Sequence, residues 1–260
     1  MNELVKLDVI EGIARITLNR PKAYNAFSLD MIQLLSERLI ELAMNKNAAG
    51  VIITGEGKAF CAGADLKWLS GFGKSYGEAL HELSARYHQA ILEIRRMPKP
   101  VVTAINGIAA GGGFSMALAC DFRIMEVSAI LQQAYTTNGL SIDGGGTFTL
   151  PRLVGLARAM EIAAFDRPIS SKQALSWGLV TEVAEDGQAV KRAIELINKM
   201  IKIPLSSFAA CKKLITDSFH TSFETQLEKE RNTLSWCADH PNGQEGIKAF
   251  LEKRKPEFKK

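Results

Sequence analysis

Cysteine is scarce in this sequence and never closely spaced: Cys61, Cys120, Cys211 and Cys237 form no CxxC pair. That argues against a disulfide frame or a zinc ribbon and for free thiols in a reducing compartment. No apolar run reaches the ~18 residues needed to cross a membrane, and the opening "MNELVKLDV" carries acids where a secretion signal has its apolar core. A cytoplasmic protein without a membrane partner is expected. His81, His220 and His240 lack ligand-like spacing, so no metal is inferred. Three phosphate- or nucleophile-bearing motifs are also missing. There is no Gly-Lys-Ser/Thr P-loop, no GxGxxG behind a strand, and no GxSxG around Ser115.

What is present begins with ordinary globular proportions, 47% hydrophobic and 23% charged residues over 260 positions, which suit one or two domains with a full core. The net charge of +4 matches the stretch Ile247 to Lys260, where six Lys/Arg face two Glu. A solvated, frayed terminus and a local contact to phosphates both fit that tail. No stacking aromatics interleave along it, so a nucleic-acid partner is not expected.

The first half alternates strand and helix patterns. "IARITLNR" alternates with period two, "GVIITG" and "PVVTAI" are short β-branched runs, and "SLDMIQLLSERLIELAMN" opens with a Ser cap. The spacing of Leu80, Leu83, Tyr87, Ile91 and Ile94 predicts one apolar helix stripe. Such alternation implies parallel strands with crossover helices. After about Val183 three helical patterns follow with no strand between them, and "SGFGKSYG" (Ser70 to Gly77) reads as a flexible patch.

Three glycine-bearing loops carry the chemistry. "VVTAINGIAAGGGFSMALA" reads as strand, tight loop and a small-residue helix starting near Gly112, and "CAGADL" opens a short helix at Asp65. The first N–H groups of a helix lack internal partners, so two such starts meeting at one oxygen would form an oxyanion hole. Tight packing is the alternative for each loop. In the third loop, "LSIDGGGTF", Asp143 is either a turn cap or a base made stronger by apolar neighbours, for which Ile142, Tyr135 and Phe148 are candidates.

The motifs "NRPKAYNAFS", "ITGEGKAFCAGADL", "KPVVTAINGIAAGGGFSMALACD" and "LPRLVGLARAMEI…SSKQALSWGLV" resemble the crotonase superfamily of enoyl-CoA hydratases and isomerases, from about Val9 to Phe258. The resemblance implies an α/β spiral of stacked ββα units over residues 1–195 and a helical trimerisation region over 196–260. It implies acyl-CoA thioester substrates, a homotrimer or dimer of trimers, and no cofactor beyond the coenzyme A of the substrate itself. Carried over, the oxyanion donors are the backbone N–H groups of Ala64 and Gly112. Lys22, Ala23, Ala62, Asp65 and Leu66 fall where coenzyme A is held, and Phe250 and Lys253 fall where a neighbouring subunit often completes that site. The two glutamates of the hydratases are replaced by Ser115 and Tyr135, which counts against simple hydration.

Asp143 falls where the epoxyphenylacetyl-CoA isomerase group keeps a proton-moving aspartate and where 4-chlorobenzoyl-CoA dehalogenase keeps a nucleophile. The resemblance is nearest to the former, so double-bond isomerisation by Asp143 is expected. Hydrolysis or dehalogenation through Asp143, hydration, and a non-catalytic acyl-CoA or RNA-binding role are the alternatives. His88 reads as a structural helix histidine, or as the partner that the dehalogenase keeps there. Trp68, Phe114 and Tyr135 read as acyl-pocket walls or as core, and Asp121 as structural.

Overall fold

The computed structural model describes residues 3–73 and 75–258. Met1, Asn2, Lys74, Lys259 and Lys260, which belong to the opening segment, the glycine-rich patch and the basic tail, lie outside the described residues.

A hairpin of β1 (Val5–Ile10) and β2 (Ile13–Leu18) starts the chain. Three strand pairs follow: β3 (Gly50–Gly55) with β4 (Ala59–Cys61), β5 (Val101–Ile105) with β6 (Ile108–Ala110), and β7 (Phe122–Glu126) with β8 (Ile130–Gln132). Then come β9 (Ile169–Ser170) and β10 (Glu182–Ala184). The first strand of each pair joins a six-stranded sheet of order β1-β2-β3-β5-β7-β10, and the second joins a four-stranded sheet of order β4-β6-β8-β9. All neighbours are parallel except β1–β2 and β8–β9. The chain therefore steps between the sheets at each turn, which is the expected ββα spiral.

The helices are α1 (Leu29–Met44), α2 (Leu66–Ser70), α3 (Tyr76–Arg96), α4 (Gly112–Ala119), α5 (Gly146–Val154), α6 (Leu156–Phe165) and α7 (Ser171–Ser176), then α8 (Ala189–Met200), α9 (Leu205–Ser218), α10 (Phe223–Asp239) and α11 (Pro241–Leu251). The Ser28 hydroxyl caps α1, as its sequence implies, by accepting from Met31 N–H. A capping box between Ser75 and Glu78 fixes the start of α3 at the end of the glycine-rich patch.

Both faces of the larger sheet are covered, so β3 is buried at every position rather than alternating. On one side Ile16, Val51 and Ile53 pack with Met31, Leu35 and Leu39 of α1 and Leu83, Ile91 and Ile94 of α3. On the other, Ile13, Ile52, Val102 and Ala104 pack with Ala189, Ala193 and Ile197 of α8. The expected division at 195/196 thus falls inside a helix that is part of this core. Leu80 departs from the expected stripe: it is only half-buried, and Ala79 takes the buried position.

The C-terminal helices are tied to the spiral by one buried ion pair. Lys212 of α9 donates to Asp121 Oδ2 at 2.8 Å and to the Ile94 carbonyl at 3.0 Å, while the same Asp121 oxygen accepts from Val101 N–H at 2.9 Å. Asp121 is therefore structural. The tail is not frayed over its first part: Ile247–Leu251 completes α11, and Arg254 pairs with Glu245 at 2.6 Å and with Glu252 at 2.7 Å. Apolar side chains on these helices remain open, with Phe223, Leu234, Phe250 and Leu251 each more than 70% exposed. All four cysteines are unbonded, and burial pushes the Cys61 and Cys120 thiols up to about 12. No helix among the described residues is long and apolar enough to cross a membrane.

Removing the Asp121 carboxylate would leave the Lys212 ammonium buried without its counter-charge. The Asp121→Ala variant is expected to lose about 3 kcal/mol of unfolding free energy, seen as a lower urea midpoint at unchanged slope. A loss near zero would mean that the pair does not hold α9 in place.

Candidate functional site

Two loops leave the smaller sheet and meet. The first follows β4, where the Asp65 side chain caps α2 by accepting from Lys67 N–H at 3.0 Å and Trp68 N–H at 3.3 Å. Its second oxygen accepts from the Arg20 guanidinium at 2.7 Å. Burial alone would raise the Asp65 carboxyl, but Arg20 and the backbone donors outweigh it and hold the group below its ordinary 3.8. Phe27 N–H donates to Gly63 O at 2.7 Å, and Asp65 N–H donates to Phe27 O at 2.9 Å. These bonds bracket Ala64 and leave its own N–H free.

The second loop follows β6 into α4, whose first residue is Gly112. Gly111 N–H donates to Gln132 O at 3.2 Å, and the Gly112 carbonyl accepts from the Tyr87 hydroxyl at 2.5 Å. Among the described residues neither Ala64 N–H nor Gly112 N–H has a protein acceptor. Gly63 makes the meeting of the loops possible: its φ is +87°, and a Cβ there would lie 3.0 Å from Gly112 N and from Ala110 O. The two expected oxyanion donors therefore stand on adjoining backbone.

Asp143 enters from a third loop, just before α5. Its Oδ1 lies 2.6 Å from His88 Nε2, and its Oδ2 accepts from the Ser84 hydroxyl at 2.8 Å. Ser84 and His88 are four residues apart on α3, so one helix face holds both oxygens. Gly144 presses on the Tyr87 ring, where a Cβ would lie 2.4 Å from Cε1. Tyr87 thus stands between the carboxylate loop and Gly112, and burial raises its phenol well above 10.

The expectation of a strengthened base at Asp143 does not hold. Burial does push its carboxyl up, but the bonds from His88, Ser84 and Gly144 N–H outweigh burial and bring it below the ordinary 3.8. Phe148 is not one of its apolar neighbours. That ring instead lies beneath the Arg152 guanidinium at 3.5 Å and against His220 at 5.2 Å.

Ala64, Gly112, Tyr87, Ser84 and Asp143 share one cavity of about 470 Å³, with Phe27, Leu66, Leu80 and Ile142 among its apolar walls. Asp143 is the one carboxylate among the described lining residues. Of the expected contacts, Ala62, Leu66 and Tyr135 line this cavity. His88 stands behind Asp143 rather than in the wall, with its side chain 49% exposed. Trp68 packs on the core and meets the Phe72 ring in a tilted contact with ring centroids 4.7 Å apart. Phe114 and Ser115 are fully buried, so neither is a wall of the site.

Lys22 and Ala23 form a 3-10 turn next to Tyr24, whose carbonyl accepts from Ala62 N–H at 3.0 Å. That places them beside the first loop, whereas Asp65 has its carboxylate fully engaged. Phe250 and Lys253 are exposed at the end of α11 and do not line the cavity of their own chain. Sequence reasoning missed Ser84, Arg20 and the tie from Tyr87 to Gly112. The helical spacing of Ser84 and His88 was the available signal, but only coordinates bring Asp143 to that face. No group of three or more His, Cys, Asp or Glu among the described residues is arranged to hold a metal.

A family model for enoyl-CoA hydratase/isomerase matches residues 8–260. The 1,2-epoxyphenylacetyl-CoA isomerase of Escherichia coli is 33% identical, with 99% of each chain covered. The 4-chlorobenzoyl coenzyme A dehalogenase-2 of an Arthrobacter species is 30% identical, covering 96% of this chain and 91% of that one. A crystal structure of an enoyl-CoA hydratase from Polaromonas sp. JS666 superposes with a TM-score of 0.92 at 35% identity, covering 98% and 99% of the two chains.

The lowered Asp143 titration has a consequence for stability. A carboxyl whose folded pKa lies below its unfolded value stabilises the fold above the unfolded value, and that contribution fades as pH falls through the folded one. Relative to Asp143→Asn, the wild-type protein should hold a constant stability advantage above about pH 5 that shrinks as pH falls below 3.8. Urea unfolding across that range reads it. A pH-independent difference would contradict an anchored carboxylate.

Proposed function

This chain belongs to the enoyl-CoA hydratase/isomerase family, and we propose that within it the chain is an acyl-CoA double-bond isomerase with Asp143 as its acid/base. The observation that carries this reading is a cavity with two unpartnered amide donors and one carboxylate among its described lining residues. A thioester oxygen placed between Ala64 N–H and Gly112 N–H gathers the charge of an enolate. Each such donor contributes about 3–4 kcal/mol of transition-state stabilisation.

For a 3-enoyl-CoA, Asp143 takes the proton from C2, and the C2–H electron pair moves into the conjugated system ending at the thioester oxygen. The protonated Asp143 then gives its proton to C4. The electrons return from the oxygen, and the double bond lies between C2 and C3. A carboxylate held below 3.8 is a weak base, so the step depends on the amides to acidify the C2 proton.

Hydration calls for a second group to orient and deprotonate water. The positions expected for that role hold Ser115, which is buried, and Tyr135, which is half-buried and whose phenol is raised above 10 by desolvation. The contact of 2.6 Å between His88 and Asp143 favours a second reading. In it Asp143 attacks the thioester carbonyl and expels the coenzyme A thiolate, and His88 takes a proton from the water that then hydrolyses the acyl–Asp143 intermediate.

Lys22, Ala23, Ala62 and Leu66 hold the coenzyme A portion of the substrate, which needs no further cofactor, and the Asp65 side chain holds the loop rather than the ligand. Phe250 and Lys253 serve a neighbouring subunit's site in a trimer or dimer of trimers, which also covers the apolar faces of α10 and α11. The protein works in the cytoplasm on a small-molecule thioester, with neither membrane nor nucleic acid as partner.

The Asp143→Asn variant should bind acyl-CoA and fail to shift a 3-enoyl-CoA double bond, followed by absorbance of the conjugated thioester. Undiminished turnover refutes the role. Turnover in heavy-oxygen water followed by mass analysis of the Asp143 peptide distinguishes the two chemistries, because label in the side chain identifies the nucleophile. Sedimentation should give three or six chains per particle, and a monomer would remove Phe250 and Lys253 from any such site.

A further inference from the structure

We propose that Ser84 is a positioning residue that holds Oδ2 of Asp143 as the oxygen that exchanges protons with the substrate; this rests on the isomerase reading above. The two carboxylate oxygens have different surroundings. Oδ1 faces His88, which stands outside the cavity wall and is half-exposed. Oδ2 faces Ser84, which is itself part of the wall. The oxygen on the substrate side is thus the one bonded to a neutral hydroxyl rather than to an imidazole.

The placement of Ser84 adds a second argument. Tyr87, three residues further along α3, donates to the Gly112 carbonyl at 2.5 Å. One helical turn therefore carries both the hydroxyl that holds the proton-handling oxygen and the phenol that holds an oxyanion residue. With Ser84 and Tyr87 bonded, the distance between Oδ2 and the Gly112 amide is set by the helix rather than by the Asp143 loop. Such fixed spacing between the charge-gathering and proton-moving groups is what an oriented transfer requires.

A hydroxyl suits this place chemically. It donates to the carboxylate and, by rotating, accepts from the carboxylic acid, so it stays bonded in both states. A lysine or arginine in its place would hold only the anion and weaken the base further. The titratable groups that face Asp143 are His88 and Tyr87 from α3 and Tyr135 from the same connection between β8 and α5, and His81 lines the same cavity. Ser84 does not titrate, and it is the group bonded to Oδ2. The bond it donates lowers the Asp143 carboxyl, so its loss must move the carboxyl upward.

The test uses the ligand-free full chain with 13C-labelled aspartate carboxyls, in which the Asp143 signal is assigned by its absence from Asp143→Asn. In Ser84→Ala the Asp143 titration should move up by roughly half to one pH unit. The acid limb of kcat/KM should move up with it, and kcat should fall about tenfold with KM nearly unchanged. Ser84→Thr keeps the hydroxyl and should restore both the titration and kcat. An unmoved titration in Ser84→Ala, or equal impairment in both variants, overturns the proposal. If the wild-type protein moves no double bond, the isomerase reading fails by itself, while the carboxyl titration of the free protein still judges the bond from Ser84.

Discussion

Everything at this site depends on two stretches of backbone lying against each other. The loop after β4 and the loop into α4 touch at Gly63, where a side chain would strike Gly112 N and Ala110 O. The contact leaves the N–H groups of Ala64 and Gly112 without acceptors among the described residues. Orphaned donors at a cavity wall are costly to keep unless something else uses them. The surrounding structure is spent on holding them there: Arg20 and Asp65 hold one loop, while Gln132 and Tyr87 hold the other.

The carboxylate is governed by a competition whose outcome reverses the simplest expectation. Partial burial makes a lone carboxyl a stronger base, and by itself it would do so here. Three hydrogen bonds to the charged form outweigh it, so Asp143 is ionised and oriented at neutral pH rather than poised to titrate there. A weak but always available base is a workable choice only beside strong charge stabilisation. The paired amides and the anchored carboxylate are therefore two halves of one arrangement, joined physically by α3.

Much of this was legible in the residues, for identifiable reasons. β-branched runs and glycine-bearing turns mark local geometry, so β2, β3, β5 and the helix starts at Asp65 and Gly112 could be placed from the residues, whereas the three-residue strands β4, β6 and β8 carry too short a pattern to read. The meeting of Ala64 and Gly112 needed the family resemblance, since nothing local says that two loops 48 residues apart touch. Contacts at the scale of one side chain were not legible. Ser84 is an ordinary polar residue on a helix until Asp143 is folded onto it, and Phe148 is a plausible neighbour of Asp143 until α5 turns it toward Arg152. The basic tail misled for a related reason: its charges suggest solvation, yet Glu245 and Glu252 draw Arg254 back onto α11.

The central claim is that two backbone amides polarise a bound thioester carbonyl, and the carbonyl itself can report on it. Infrared difference spectra of a non-reactive acyl-CoA carrying a 13C-labelled thioester carbonyl, taken free and bound to the protein, isolate that one bond. Hydrogen bonds from Ala64 and Gly112 must weaken it, so the account predicts a stretch at lower frequency in the complex. A bound carbonyl that absorbs where the free one does would contradict it.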